Sequence, residues 1–170
     1  MTEPEGQEER LLALEARLCF LEDEREIRQL ICSYGPAVDS GNSTGAAELW
    51  SEDGIYDYTT IIDDHTRAQY LDQRGIVDML EASHHQRLIH EGAAHTLGPP
   101  HITITGDTAV ATNYSVILRR IGMSVTIYRM AGNRWDLVRR PAGWRVHKRT
   151  TRMLDGSAEA RALLGQAITG

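Results

Sequence analysis

Residues 34–39, Tyr-Gly-Pro-Ala-Val-Asp, close a long helical pattern and leave a carboxylate at its end. Upstream, Leu11, Leu14, Leu18 and Leu21 recur at steps of three and four. Ile27, Leu30, Ile31 and Tyr34 resume the pattern after an acidic patch from Glu22 to Glu26. That period predicts an amphipathic helix from Glu8, open to a break near Asp23. Its first segment, with Glu and Arg on the other face, suits packing on a neighbouring subunit. Pro36 removes a backbone donor and disfavours helix at Gly35, so a kink is expected just before Asp39. Gly41-Asn42 then ends the element.

Working outward, Ser43 or Thr44 is placed to cap a short helix through Trp50. Asp53-Gly54 reads as a turn, and Ile55-Tyr56-Asp57-Tyr58 as an aromatic strand. Residues 59–72 read as a strand edge and a loop, and Gly75–Leu88 as a third helix. Strand signals dominate from there. The expected strands are 101–105, 108–120 after a Gly106-Asp107 hairpin turn, 122–130, 134–139, and 144–153 after Pro141-Ala142-Gly143. Residues 1–7 read as a loose polar tail and 157–168 as a small terminal helix, leaving one domain over 8–156. Helices first, then long antiparallel strands, give an α+β fold. A sheet wrapped around the early helices makes a cone with one open mouth.

At 170 residues the chain is long enough to bury a core without metal or disulfide support. Acidic residues outnumber basic ones, 24 to 18, and the net charge of −6 argues against a nucleic-acid partner. The cations crowd the last third, from Arg119 to Arg152, where alternating strands would turn them to solvent. Cys19 and Cys32, with no short Cys-Cys spacing, read as reduced, buried thiols, which suit the cytoplasm. A Glu-rich start and the lack of a spanning apolar run predict neither a signal peptide nor membrane insertion.

Asp39 lies near Cys32 and Gly35 on a helical wheel, a small-residue face able to border a cavity. Of the seven histidines, His84 and His85 read as solvated, His65 as part of an irregular polar stretch, and His147 as outward. His90, His95 and His101 lack the tight spacing of helical metal motifs, so no metal is expected. His95 stands out because small residues flank it, which suits a pocket wall. A neutral imidazole held by a carboxylate is a general base near neutral pH, because the partner stabilises the imidazolium as it forms. Tyr34, on the apolar helix face, is able to polarise a carbonyl oxygen if it borders a cavity. Asn113 and Tyr114 point to opposite faces of one strand, so only one reaches a pocket. Arg152 shares strand parity with Trp144 and Val146 and points inward unless a bulge intervenes. A buried cation there needs a carboxylate or an anionic substrate. Neither a nucleophile elbow nor a Gly-rich phosphate loop is present.

Taken together, these residues resemble the SnoaL-like members of the nuclear-transport-factor-2-like superfamily over about residues 20–155. The resemblance rests on Ile27-Arg28-Gln29-Leu30 through Tyr34 and Val38-Asp39, and on Glu48-Leu49-Trp50-Ser51-Glu52-Asp53-Gly54. It continues with His95 ahead of Ile102-Thr103-Ile104, Gly106-Asp107-Thr108-Ala109, and Gly143-Trp144-Arg145-Val146 followed by Arg149 and Arg152. The chain is most similar to the branch holding scytalone dehydratase, bile-acid 7α-dehydratase and hexachlorocyclohexane dehydrochlorinase. That resemblance implies a cone-shaped α+β barrel, an Asp-His pair at Asp39 and His95 working without cofactor or metal, an assisting Tyr34, a late arginine at Arg152, and a homo-oligomer, trimer or dimer.

The expected activity is a dehydratase-like lyase, with a polyketide cyclase or isomerase, or a non-catalytic binding protein, as the alternatives. His95 would take the proton and Asp39 would orient it. Tyr34 and Asn113 would meet the developing oxyanion, and Trp50, Tyr56 and Tyr58 would form an apolar wall. The expected substrate is mostly apolar and cyclic, of the steroid, polyketide or terpenoid kind.

Overall fold

The computed structural model describes residues 3–59 and 67–165. Helix α1 (Glu3–Asp39) runs unbroken for 37 residues, already helical where a loose start was expected. Pro4 falls in its first turn, where a missing N–H removes no helical bond. The acidic patch near Asp23 is a docking point instead of a break. Asp23 accepts hydrogen bonds from Arg139 and, at 3.0 Å, from the Trp144 indole, while Glu26 accepts the Trp144 backbone N–H at 2.8 Å. Pro36 lies inside the helix too. Its ring is exposed while Gly35 and Val38 beside it are buried, so packing carries the helix past the lost hydrogen bond to Asp39.

The buried positions of α1, among them Ile27, Ile31, Tyr34 and Val38, form one stripe. Cys32 lies off that stripe and Cys19 on the first half, which meets no sheet. Both thiols are therefore exposed, not buried as expected.

Asn42, and not Ser43 or Thr44, caps helix α2 (Ser43–Ala47), its side chain accepting the Gly45 N–H at 2.9 Å. Strand β1 (Trp50–Thr59) follows at once, and Asp53-Gly54 is an irregularity within it. Strand β2 (Arg67–Leu71) pairs back onto β1. The single helix expected over 75–88 is two, α3 (Asp72–Glu81) and α4 (Ser83–Glu91), divided by an extended Ala82 at ψ 139°. His65 and the end of the terminal helix lie outside the described residues.

Strands β3 (Ala93–Leu97), β4 (His101–Thr105), β5 (Thr108–Ile121), β6 (Ser124–Arg140) and β7 (Gly143–Met153) complete a sheet of order β2-β1-β7-β6-β5-β3, with β4 also on β5. All pairings are antiparallel except β1 with β7. The sheet curls around the C-terminal half of α1 without closing. Two expected strands merge into β6 across Ala131-Gly132-Asn133. Gly132 is bare there because helix α5 (Ala158–Gly165) presses on it. A Cβ would stand 3.0 Å from the Leu164 side chain.

Trp50, Trp135, Leu137, Trp144 and Val146 join the α1 stripe in the core, all at most 1% exposed. One irregularity positions the site. Opposite Asp136 and Leu137, β7 runs from Val146 to Lys148, leaving His147 unpaired. This bulge reverses the parity of everything after it.

Candidate active site

Asp39, at the last turn of α1, meets His95 on β3 because Gly35 lets helix and strand touch. A Cβ at Gly35 would fall 2.2 Å from the His95 carbonyl oxygen. One carboxylate oxygen accepts the His95 backbone N–H at 2.7 Å, and the other lies 2.6 Å from the ring Nδ1. The two bonds fix both the strand and the ring. With Nδ1–H donating to the carboxylate, the neutral ring is left with Nε2 as its basic nitrogen. The His95 side chain is 9% exposed and that of Asp39 25%.

His95 borders a cavity of about 820 Å³, counting the space at its opening. Tyr34 from α1, Tyr56 and Tyr58 from β1, and Leu88 from α4 line it, with β5, β6 and β7 behind. The Tyr34 ring stands edge-on to His95, centroids 6.4 Å apart. Its hydroxyl is hydrogen-bonded to that of Tyr56, and burial pushes the Tyr34 phenol up. Burial alone would raise Tyr56 as well, but the nearby guanidiniums of Arg149 and Arg129 outweigh it and hold that phenol below its usual value. Tyr58 is raised, chiefly by burial.

Three residues expected at the site are not brought to the pocket wall. Trp50 is fully buried behind it, with ring centroids 5.7 Å from Tyr34 and 5.8 Å from Tyr56, so it supports the wall without forming it. Asn113 does face inward, with Tyr114 exposed, but its amide is used structurally. It donates to the Gly98 carbonyl at 2.9 Å and accepts from the Trp135 indole at 3.0 Å. Arg152 is turned to the opposite face by the His147 bulge. It is buried against Asp57 at 2.6 Å, and Glu159 of α5 lies 3.7 Å away.

The bulge puts Arg149 and Thr151 on the cavity side instead. Arg149 is 3% exposed and packs its guanidinium over three rings, 4.2 Å from the Trp135 centroid, 4.4 Å from Tyr34 and 4.9 Å from Tyr56. Its Nε and Nη2 donate to the Asn133 side-chain oxygen at 3.2 and 2.9 Å. Asn133 is neutral, so the charge is pinned but not cancelled.

His85, read as solvated, is half-buried in the cavity wall. Its Nδ1 donates to the Leu80 carbonyl at 2.8 Å, and its ring lies 5.6 Å from His95. Burial lowers its pKa. The break at Ala82 turns this residue inward, and no periodic signal marked that break. Among the described residues, no group of three or more His, Cys, Asp and Glu side chains is placed to hold a metal ion.

A model of the SnoaL-like domain matches residues 20–150. An NTF2-like protein with a cystatin-like fold from Novosphingobium aromaticivorans is 43% identical, covering 91% of this chain and 96% of that one, with a TM-score of 0.85. Aln2 from a Streptomyces species (18% identity, 81% and 93% covered, TM-score 0.64) and ActVI-ORFA from Streptomyces coelicolor (18%, 78% and 98%, 0.64) share the fold. A search of curated proteins returns no match. No helix among the described residues is long and apolar enough to cross a membrane.

Proposed function

Because the chain belongs to the SnoaL-like family, we propose that its cavity carries out proton transfer on a mostly apolar, cyclic small molecule, as a dehydratase-like lyase or a cyclase or isomerase. The observation that carries this reading is the contact between His95 Nδ1 and Asp39 at 2.6 Å on the wall of an aromatic cavity. His95 Nε2 removes a proton next to a carbonyl, and Asp39 stabilises the imidazolium that forms. The developing oxyanion is met by the Tyr34 and Tyr56 hydroxyl pair, whose mutual hydrogen bond leaves one O–H free to donate, preorganised and largely shielded from water. In a dehydration, the proton taken by His95 returns to the departing hydroxyl, which leaves as water. In an isomerisation it returns to carbon, and in a cyclisation the enolate carbon attacks a second carbonyl, whose oxygen takes the proton back from His95. The first step is common to all three.

The same reading includes a homo-oligomer. The first half of α1 leaves Leu11, Leu14, Leu18 and Leu21 exposed on one stripe, a surface suited to a second copy.

The test is deuterium incorporation next to the carbonyl of cyclic ketones and aromatic polyketide-like probes in heavy water, followed by NMR. The wild-type protein is expected to exchange at least one probe class. His95→Gln and Asp39→Asn should each slow exchange by about 10²–10⁴. Exchange at the buffer rate for every probe that binds would make the cavity a binding site and not a catalytic one.

A further inference from the structure

The arginines of this chain fall into two groups. Outside the cavity the buried Arg152 is paired with Asp57, and the half-buried Arg139 and Arg119 are paired with Asp23 and Glu91. The two that line the cavity, Arg129 and Arg149, have no carboxylate partner among the described residues.

Arg149 is fixed by a neutral amide and three aromatic faces, and its Nη1 is shielded from solvent with no acceptor. Arg129 packs over Tyr58 at 5.4 Å, and its Nε and Nη2 are shielded and unpaired in the same way. The two cations serve one patch, since the Tyr56 and Tyr58 rings beneath them are 5.3 Å apart. Arg149 is buried and Arg129 half-buried, and shielding a guanidinium from water without a counter-charge is unfavourable. Two such groups side by side add mutual repulsion, and a bound anion relieves both penalties at once.

Building on the proton-transfer reading, we propose that the natural substrate carries a carboxylate, seated against Arg129 and Arg149 with the reacting carbon towards His95. Only the Tyr34 ring separates the two ends of the site: its centroid is 4.4 Å from the Arg149 Cζ and 6.4 Å from the His95 ring. The carboxylate and the acidic C–H therefore lie on two sides of one tyrosine ring. That spacing fits an aromatic or cyclic keto acid better than a neutral molecule of the same shape. A planar carboxylate matches the guanidinium fork, which a leaving hydroxide or a ketone oxygen does not.

The experiment compares naphthalene carboxylate with naphthalene carboxamide, which has nearly the same shape and no charge, by calorimetry on the full chain. Wild-type protein is expected to bind the carboxylate at least tenfold more tightly, with a preference that shrinks as salt rises. Arg129→Gln should cut that preference at least fivefold and leave amide binding unchanged. Arg149→Gln should do the same if it folds. If it does not, Arg129→Gln and the salt series decide. His95→Gln should keep the full preference while losing deuterium exchange, so failure of the catalytic reading and of this one are read separately. Equal affinity for acid and amide in the wild type, or an undiminished preference in folded Arg129→Gln, would overturn the proposal.

Discussion

Asp57 and Arg152 show at the residue scale how one β-bulge turns an arginine expected in the cavity into a structural ion pair. Burial would raise the Asp57 carboxyl, but the hydrogen bonds from Arg152 and Gln69 and the Arg152 charge win and hold it below the usual carboxylate range. A group whose folded-state pKa is depressed adds stability that is fully present above its unfolded value. That stability is lost as pH falls through the lowered one. Asp57→Asn is therefore expected to destabilise the protein by about 3 kcal/mol at neutral pH, since it leaves a buried guanidinium with only the more distant Glu159. The gap to wild type in chemical denaturation should narrow only below the ordinary carboxylate range. A gap that stayed constant through that range would mean the pair does not matter. At the same scale, Asp39 and His95 were legible because a carboxylate at a helix end and a histidine among small residues each carry a local signal. Arg149 was not, because its orientation depends on an unpaired residue two positions earlier, and a pattern of period two cannot register that.

Three elements decide the geometry of the site: the end of α1, the break between α3 and α4, and the long strand β6. The helix end works because Gly35 is bare. Gly35→Ala would put a methyl group within 2.2 Å of the His95 carbonyl oxygen, so β3 must retreat from α1. Backbone against backbone leaves little room to relax, and a loss of about 1–3 kcal/mol is expected, as for overpacked cores. Activity should fall with it, because the same shift lengthens the Asp39–His95 contact. Calorimetry together with the exchange assay checks both, and an unchanged melting temperature with full exchange would contradict the close packing. The hairpin at Gly106-Asp107 could be read directly, since its turn residues sit between two alternating runs. The continuity of β6 could not. Ala131-Gly132-Asn133 has the composition of a strand end, yet its small residues make room for α5 and place Asn133 beneath Arg149. Small residues signal a turn and a close contact equally well.

Seen as a whole molecule, the chain is a curled sheet holding the second half of α1, with the first half of that helix extending beyond it. Five leucines on that extension are each more than half exposed, a large apolar surface for a segment that packs on no other element among the described residues. The oligomer included in the proposed function predicts that Leu14→Asp together with Leu18→Asp lowers the mass seen by analytical ultracentrifugation to that of a monomer. The thermal stability of the sheet should barely change. A wild-type protein already monomeric at micromolar concentration would remove that part of the proposal. The α+β order and the wrapped sheet were legible at this scale because early helices are followed by long strands of a different period, whereas which strand lies over the end of α1 emerges only from strand pairing. The proposed proton transfer depends on Asp39 setting the state of His95. The most direct measurement is nitrogen-resolved NMR of the His95 ring in its neutral form, in wild type and in Asp39→Ala. The wild-type ring is expected to be protonated only on Nδ1, with that proton slow to exchange, and the variant to show a mixture of tautomers. A ring protonated on Nε2, or one indifferent to the loss of Asp39, would contradict it.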